Sequence, residues 1–261
     1  MSAVIDPGLA AIGRSLSPED CHRLVGVLDE VSAAVGDQCF IDQIRDSIGR
    51  HFGWADVVAV DIPAEVGGFP DPASCMEHFH SNRTDSFLAE YVDRWYENNP
   101  FKTRGAQLAL SRQGLLTLAD ARPHATPTEW AFVEQYLQPN NVADVLDGFI
   151  DADAEGSALL CVYFRDEVDL GHRERATMHR LTRYLAPWVR SHFAATRLER
   201  EHALLSTRER DAAELAACGL SNREIAERLH VTVDTVKKHL TRAMAKTSCT
   251  SRTQLAMRFQ H

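Results

Sequence analysis

At 261 residues, 44% apolar and 25% charged, the chain is long enough for one larger and one smaller globular domain, each with its own core. No apolar run approaches the roughly 18 residues of a membrane span, MSAVIDPGLAAIGRS lacks the basic start and apolar stretch of a secretory signal, and the six scattered cysteines form no C-x-x-C pair; a membrane protein, a disulfide scaffold and a structural zinc site give way to a cytoplasmic protein with reduced thiols. The net charge of −9 is uneven: from Ala203 onward ten Lys/Arg face six Asp/Glu, a net of +4 that leaves −13 on the rest, and an anionic partner, nucleic acid first, is expected for the tail alone.

Ser17-Pro18-Glu19-Asp20 combines a capping residue, a proline at the first helical position and early acids, and helical apolar spacing follows through Leu24, Val27, Leu28 and Val31. A second helix is expected from near Asp37 to about His51. WADVVAVDI (54–62), short and rich in β-branched residues, reads as a strand. A Gly- and Pro-rich loop, Pro63 to Pro72, leads to SCMEHFH, a second expected strand. On it His78 and His80 share a face while Cys75 points the other way, which argues against a three-ligand metal site.

TDSFLAEYVDRWYENN is expected as a helix capped by Thr84, and Thr126-Pro127-Thr128-Glu129 is a capping box that opens a helix to about Leu137. VADVLDGFIDA and SALLCVYFRDE, parted by Asp153-Ala154-Glu155-Gly156, read as a β-hairpin. From Asp169 a long helical pattern puts Met178, Leu181, Leu185, Trp188 and His192 on one face, with Pro187 marking a kink or a stop. Strands flanked by helices at both ends predict an α+β fold, with residues 1–195 an α/β/α sandwich around a mainly antiparallel sheet. The charged, helix-prone segment that includes residues 196–204 serves as a linker.

Beyond it, Ser206-Thr207-Arg208-Glu209 is a capping box, Ala212, Leu215 and Ala216 supply an apolar stripe, and Gly219 ends the helix. Ser221-Asn222-Arg223-Glu224 repeats the box before a short helix in which Ile225, Ala226 and Leu229 point inward. His230-Val231-Thr232 makes a turn, Thr232 caps the next helix, and Val236, Leu240 and Ala243 or Met244 define its buried side. A short helix, a tight turn and a second helix with a basic, polar exposed side form a helix-turn-helix sized for the major groove.

Leu205-Ser206, Arg208-Glu209, Gly219, Ser221-Asn222, Glu224-Ile225-Ala226, Leu229, Thr235-Val236-Lys237, His239, Lys246 and Arg252 together resemble, in order and spacing, the C-terminal DNA-binding domain of LuxR-type transcriptional regulators. The resemblance implies an all-α four-helix domain over residues 205–261, double-stranded DNA as partner, Lys237, Lys238 and Thr241 facing the groove, and a last helix (about Ser251 to Phe259) that helps to form a homodimer. Thr235, Arg242, Ser221 and Asn222 complete the expected DNA-binding set. Thr247 and Cys249 stand where the family usually has apolar residues.

The front domain then decides when the protein binds. Val57 to Pro63 superficially resembles the phospho-acceptor strand of a receiver domain, but Glu19-Asp20 opens a helix instead of following a strand, which leaves Asp61 as a strand-end residue. Phe87-x-x-x-Tyr91 followed by Asn99-Pro100 resembles the Trp-x-x-x-Tyr and Asp-Pro pattern of autoinducer-binding domains in quorum-sensing LuxR-type proteins, with Phe for Trp and Asn for Asp; a GAF-like sensor stands beside that reading. In this resemblance Asn99 would accept a ligand's proton through its amide oxygen. Phe87, Tyr91, Trp95, Tyr96, Asn99, Phe101 and Trp130 are the expected ligand-binding residues, within an aromatic concentration that also holds Phe132 and Tyr136. No phosphate-binding glycine loop, H-E-x-x-H or G-x-S-x-G is present, so neither an enzyme nor a cofactor or metal is expected. The expected function is a DNA-binding transcriptional regulator controlled by a small apolar or amphipathic ligand, the alternative being a ligand-independent regulator whose front domain is a dimerisation or protein-interaction module.

Overall fold

The computed structural model describes residues 16–64, 69–72, 74–165 and 170–259. MSAVIDPGLAAIGRS, the helix start at Asp169 and part of the Pro63 to Pro72 loop lie outside the described residues. The chain forms two compact units, Met1–Phe193 and Ala194–His261.

In the first unit, helix α1 (Pro18–Ser32) starts as its sequence dictates: Ser17 Oγ accepts the Asp20 N–H at 3.0 Å, and Pro18 opens the first turn. Helix α2 (Phe40–Phe52) begins three residues later than expected, because residues after α1 form turns, one closed by the Asp37 N–H on the Ala34 carbonyl at 2.9 Å. Five strands follow among the described residues, β1 (Asp56–Pro63), β2 (Phe79–Ser81), β3 (Leu115–Thr117), β4 (Asp144–Asp151) and β5 (Gly156–Phe164), in the order β2-β1-β5-β4-β3 with every neighbouring pair antiparallel. The β4–β5 hairpin runs in register from Asp144 opposite Phe164 to Asp151 opposite Ser157.

Side chains alternate across this sheet and so build two cores. Val57, Ala59, Leu146, Ile150, Leu160 and Val162 face α1, α2 and the long helix, where Val27, Phe40, Ile44 and Ile48 are fully buried. Val58, Val60, Val145 and Leu159 face the opposite way, toward the aromatic residues of the middle segment. Full burial of one such aliphatic side chain is worth about 1.5–3 kcal/mol, so both faces of the sheet are stabilised by covering layers. The first unit is an α/β/α sandwich on an antiparallel sheet.

Three local expectations are corrected. SCMEHFH is a helical turn, Cys75–His78, leading into the three-residue β2; only Phe79, His80 and Ser81 pair with β1, at the sheet edge. The helix capped by Thr84 is α-helical over Asp85–Glu90 (α3), widens to a π-turn over Tyr91–Trp95 and tightens over Tyr96–Asn98 before Pro100. The helix opened by the Thr126 box repeats this change, α-helical over Pro127–Phe132 (α5) and π over Val133–Leu137. Between them lies helix α4 (Arg104–Gln113), for which no element was expected, capped by Thr103 and ended by Gly114.

The long helix α6 (His172–Leu204) passes through Pro187 without interruption, and residues 196–204 continue it. Pro187 lies on the exposed side, where water can take up the carbonyl that loses its partner. The buried seam is Met178, Leu181, Leu185 and Val189, all at 0% exposure; Trp188, expected inward, is 36% exposed, because Val189 continues the four-residue step from Leu185. His192 does turn inward, stacked on Phe40 at 4.3 Å, with Nδ1 accepting the Gly36 N–H. Helix and sheet approach so closely at Gly148 that a Cβ there would lie 2.6 Å from Met178 Sδ.

Among the described residues the second unit contains four helices after α6: α7 (Thr207–Ala217), α8 (Asn222–Leu229), α9 (Val233–Lys246) and α10 (Arg252–Arg258). Ala212, Ala213, Ala216, Ile225, Val236, Leu240, Ala243, Leu255 and Phe259 form its core. Small alanines on α7 allow the helices to pack tightly on a short chain. Both capping boxes are complete, Ser206 with Glu209 and Ser221 with Glu224, and Thr232 Oγ1 accepts the Thr235 N–H at 3.2 Å. Gly219, at φ +84°, ends α7 in a Schellman turn: its N–H meets the Ala216 carbonyl, and the Leu220 N–H meets the Leu215 carbonyl at 3.2 Å.

Candidate DNA-binding hairpin and ligand cavity

The α8–α9 hairpin is closed by local chemistry. The Val231 N–H reaches the Ala226 carbonyl at 3.0 Å, with His230 in the left-handed conformation at φ +55°. Val236, Leu240 and Ala243 bury one side of α9, Ala243 fully and Met244 only in part. Lys237, Lys238, Thr241 and Arg242 are exposed. Lys237 Nζ lies 3.5 Å from Asp234 Oδ1, while Lys238 and Arg242 have no ion pair among the described residues. Their charges stand in water on one continuous face.

The other three expected DNA-binding residues have duties inside the domain. Thr235 Oγ1 is 2.8 Å from Thr232 Oγ1. Ser221 caps α8. Asn222 Oδ1 accepts from Arg252 Nη1 at 2.6 Å, and Arg252 Nη2 also donates to the Leu220 carbonyl, so α10 is tied to the start of the hairpin.

A second tie was not read from the sequence. Glu209, 4% exposed, accepts the Lys246 ammonium at 2.8 Å and the Ser206 N–H at 2.9 Å, and Lys246 also donates to the Leu204 carbonyl. The Lys246 hydrogen bond, followed by that of Ser206, holds the Glu209 carboxyl down to about 2. This pair fastens the first turn of α7 to the last turn of α9. The two family departures are accommodated: Thr247 is buried with its hydroxyl donated to the Ala243 carbonyl at 2.8 Å, and the Cys249 thiol lies 3.7 Å from Arg258 Nη1.

In the first unit, the sheet face opposite α1 and α2 encloses a cavity with about 50 Å³ open to the centre of a water-sized sphere. Phe87, Tyr91, Asn99 and Phe101 line it, as expected, together with Phe132 and Tyr136. Trp95, Tyr96 and Trp130 do not. The Trp95 Nε1–H points to Glu90, the Tyr96 hydroxyl donates to the Pro70 carbonyl, and Trp130 lies under the Arg122 guanidinium, 4.3 Å from the ring centroid. Trp95 and Tyr96 lie where the π-turn gives way to the short tight turn, which directs successive side chains to different sides, while Trp130 lies on α5.

Asn99 is a further correction. Its Oδ1 accepts the Phe101 N–H at 2.9 Å, as the cap of the Pro100 turn, and its amide N–H donates to the Tyr91 hydroxyl at 3.1 Å. The oxygen expected to take a ligand's proton is thus engaged by the backbone.

Sequence reasoning also missed Asp147 and Cys161, which line the cavity from β4 and β5. The alternating pattern of the hairpin was the available signal, since it places Val145, Asp147 and Phe149 on one face. Burial pushes the Asp147 carboxyl up to about 7.

His78 and His80 stand beside two aspartates. Both rings hydrogen-bond to Asp61, at 3.1 and 3.2 Å, and His80 also lies 3.3 Å from Asp42. Among the described residues no group of three or more His, Cys, Asp or Glu is arranged to hold a metal. Cys75 is buried in the aromatic core instead, its thiol pushed up to about 12 by that burial. No described helix is long and apolar enough to cross a membrane.

The family model described as bacterial regulatory proteins, luxR family, matches residues 203–259. The nitrate/nitrite response regulator protein NarL of Escherichia coli (strain K12) is 35% identical over 111 residues, 42% of this chain and 49% of NarL. A monoamine regulon transcriptional regulator of Klebsiella aerogenes is 27% identical over 144 residues, 54% of this chain and 61% of that protein. The chain therefore spans about half to three fifths of the curated relatives it matches. Among solved structures, Escherichia coli SdiA aligns over 91% of this chain and 95% of its own, at 15% identity and a TM-score of 0.42. The capping boxes, the Glu209–Lys246 tie and the exposed basic helix all lie inside residues 203–259, the segment that matches the luxR family of bacterial regulatory proteins.

Proposed function

We propose that this protein is a transcription regulator in which residues 1–195 take up a small apolar or amphipathic molecule, residues 196–204 link, and residues 205–261 bind DNA as part of a homodimer in the cytoplasm. The observation that carries the reading is the enclosed aromatic cavity in a chain that also holds a luxR-type DNA-binding domain. Lys237, Lys238, Thr241 and Arg242 supply the groove-facing side of α9, with Thr235, Ser221 and Asn222 at its margin. Asp56 and the flanking arginines Arg83 and Arg165 brace the sheet beside the cavity without entering its lining.

The cavity is small when empty, so a signal-sized molecule enters only as its aromatic walls move apart. Occupied and empty states then differ in the packing of the sheet face, and a ligand with different affinity for the two shifts their populations. A quorum-sensing signal is one candidate of suitable character.

Melting of the full chain against a panel of lipophilic signals tests the reading. A ligand at about 100 times its Kd stabilises by about 2.7 kcal/mol, and the same compound should change affinity for operator DNA. A flat response in both measurements sinks it. On the DNA side, Lys237→Ala is expected to weaken operator binding and to lower the salt slope by about one; unchanged affinity across a salt series removes Lys237 from the interface.

The ligand-independent alternative has its own support. Tyr184 and Trp188, 40% and 36% exposed, sit one turn apart on the outer side of α6, a suitable surface for a protein contact. Loss of dimer on Trp188→Ala, combined with flat melting curves, favours that reading.

A further inference from the structure

Several polar side chains around the cavity are already engaged. Asn99 is held by the Phe101 N–H and by Tyr91, and Ser81 Oγ accepts the Arg83 N–H. Lys102 Nζ donates to the Tyr96 carbonyl at 3.0 Å, and Gln107 Nε2 donates to the Phe101 carbonyl at 2.7 Å. The Tyr136 hydroxyl donates to the Phe87 carbonyl at 2.7 Å. Each of these groups already has a protein partner.

Asp147 differs. It stands in the middle of β4, directly opposite Cys161 on β5, and is 6% exposed. Its side chain lines the cavity, yet Oδ1 has no hydrogen-bond partner, and no cation is paired with it among the described residues. The Cys161 thiol stands across from it on β5, but a thiol is a weak donor. Buried carboxyl oxygens are ordinarily satisfied, and one left open costs stability whenever the cavity is empty. An apolar residue would fill this position on a sheet at lower cost. The carboxyl is explained if something that enters the cavity completes its hydrogen bonding.

We propose that Asp147 is the polar anchor of the cavity, accepting a hydrogen bond from a ligand that joins an apolar body to a single donor group, a hydroxyl, an amide N–H or an amine. The inference rests on the reading of this cavity as the ligand site. Because burial raises the Asp147 carboxyl into the neutral range, both of its protonation states offer an accepting oxygen: the acid to a hydroxyl or amide, the carboxylate to an ammonium. The aromatic walls suit either, through apolar contact or through attraction of a cation to the ring faces.

Matched small probes separate the possibilities on the full chain: phenol and benzylamine, each with a donor, against toluene, which has none. Calorimetric titration is expected to give about tenfold or greater preference for one or both donor probes over toluene in the native protein, and Asp147→Leu is expected to erase that preference while still binding toluene. The infrared carboxyl band of the unmodified protein supplies a readout that needs no variant. Phenol should shift the band of the protonated acid, benzylamine should replace it with a carboxylate band, and toluene should leave it unchanged.

Equal affinity of all three probes, a preference that survives Asp147→Leu, or a carboxyl band indifferent to the donor probes overturns the anchor and leaves the cavity reading standing. Failure of every probe to bind overturns both.

Discussion

In the Ala194–His261 unit, helix ends are closed over three residues, Ser206 with Glu209, Ser221 with Glu224, Thr232 with Thr235, whereas the buried Asp56 of the first unit is held by Arg83 and Arg165, 27 and 109 residues away. The small unit draws its helix limits from neighbours in sequence, and distant ties such as Glu209 with Lys246 and Asn222 with Arg252 fix how the helices pack. The larger unit has caps of the same kind, at Thr84, Thr103, Thr117 and Thr126, but its shape comes from a sheet whose central strand, β5, lies more than ninety residues after its partner β1. A unit defined by short-range chemistry presents the same face whatever surrounds it. One defined by long-range packing can enclose a cavity whose walls yield, which suits a sensor.

The contrast is broken most strongly by removing bulk from the long-range core. Leu185→Ala, at a fully buried position of α6, is expected to cost about 3 kcal/mol, seen as a lower denaturation midpoint of the sheet-containing unit.

Next in size is the loss of the Glu209–Lys246 tie. Lys246→Ala leaves a buried carboxylate without its cation and is expected to destabilise the helix-turn-helix unit by about 2 kcal/mol, discounted for the partial exposure of Lys246. The tie also carries a pH signature. The folded carboxyl is depressed from 4.5 to about 2, so its stabilisation is complete above the ordinary value and is lost as the pH falls from there toward 2. Acid unfolding of the native protein and of Glu209→Gln should therefore converge in that window; parallel curves contradict the assignment.

The smallest effect separates two duties of one residue. Ser221→Ala removes the α8 cap and is expected to cost about 1 kcal/mol. Ser221→Asp caps equally well and favours the helix N-terminus, so its stability should stay close to native while its added negative charge weakens DNA binding. Equal DNA affinity for serine and aspartate at this position would leave Ser221 with its structural duty alone.

Legibility follows the same divide. Ser17, Thr84, Thr126, Ser206, Ser221 and Thr232 all cap the helices they announce, because a cap and the N–H it accepts lie within one turn. The β4–β5 hairpin was legible from alternation. Helix α4 was not assigned although Thr103 and Gly114 bracket it, since Ala106 and Leu110 are its only fully buried positions and the apolar signal is thin. Helical spacing predicts Trp188 inward, but Val189 holds the seam. The cavity was half legible: four of the seven expected residues line it, from the segment where aromatic residues cluster in sequence. Asp147 and Cys161 were hidden because alternation tells which residues share a face and not which face is hollow.

The π-turns at Tyr91–Trp95 and Val133–Leu137 have a consequence for how such a chain changes over generations. A π-turn holds about one residue more than an α-helix over the same hydrogen-bonded span. Deleting one codon there lets the backbone close into an ordinary helical turn with the later side chains of that helix left close to their places, so the change falls on the side chains of the turn itself. Tyr91 opens the first of these turns and Tyr136 lies within the second, and both line the cavity. Two places where these helices can absorb the loss of a residue are thus places where that loss re-cuts the wall of the cavity.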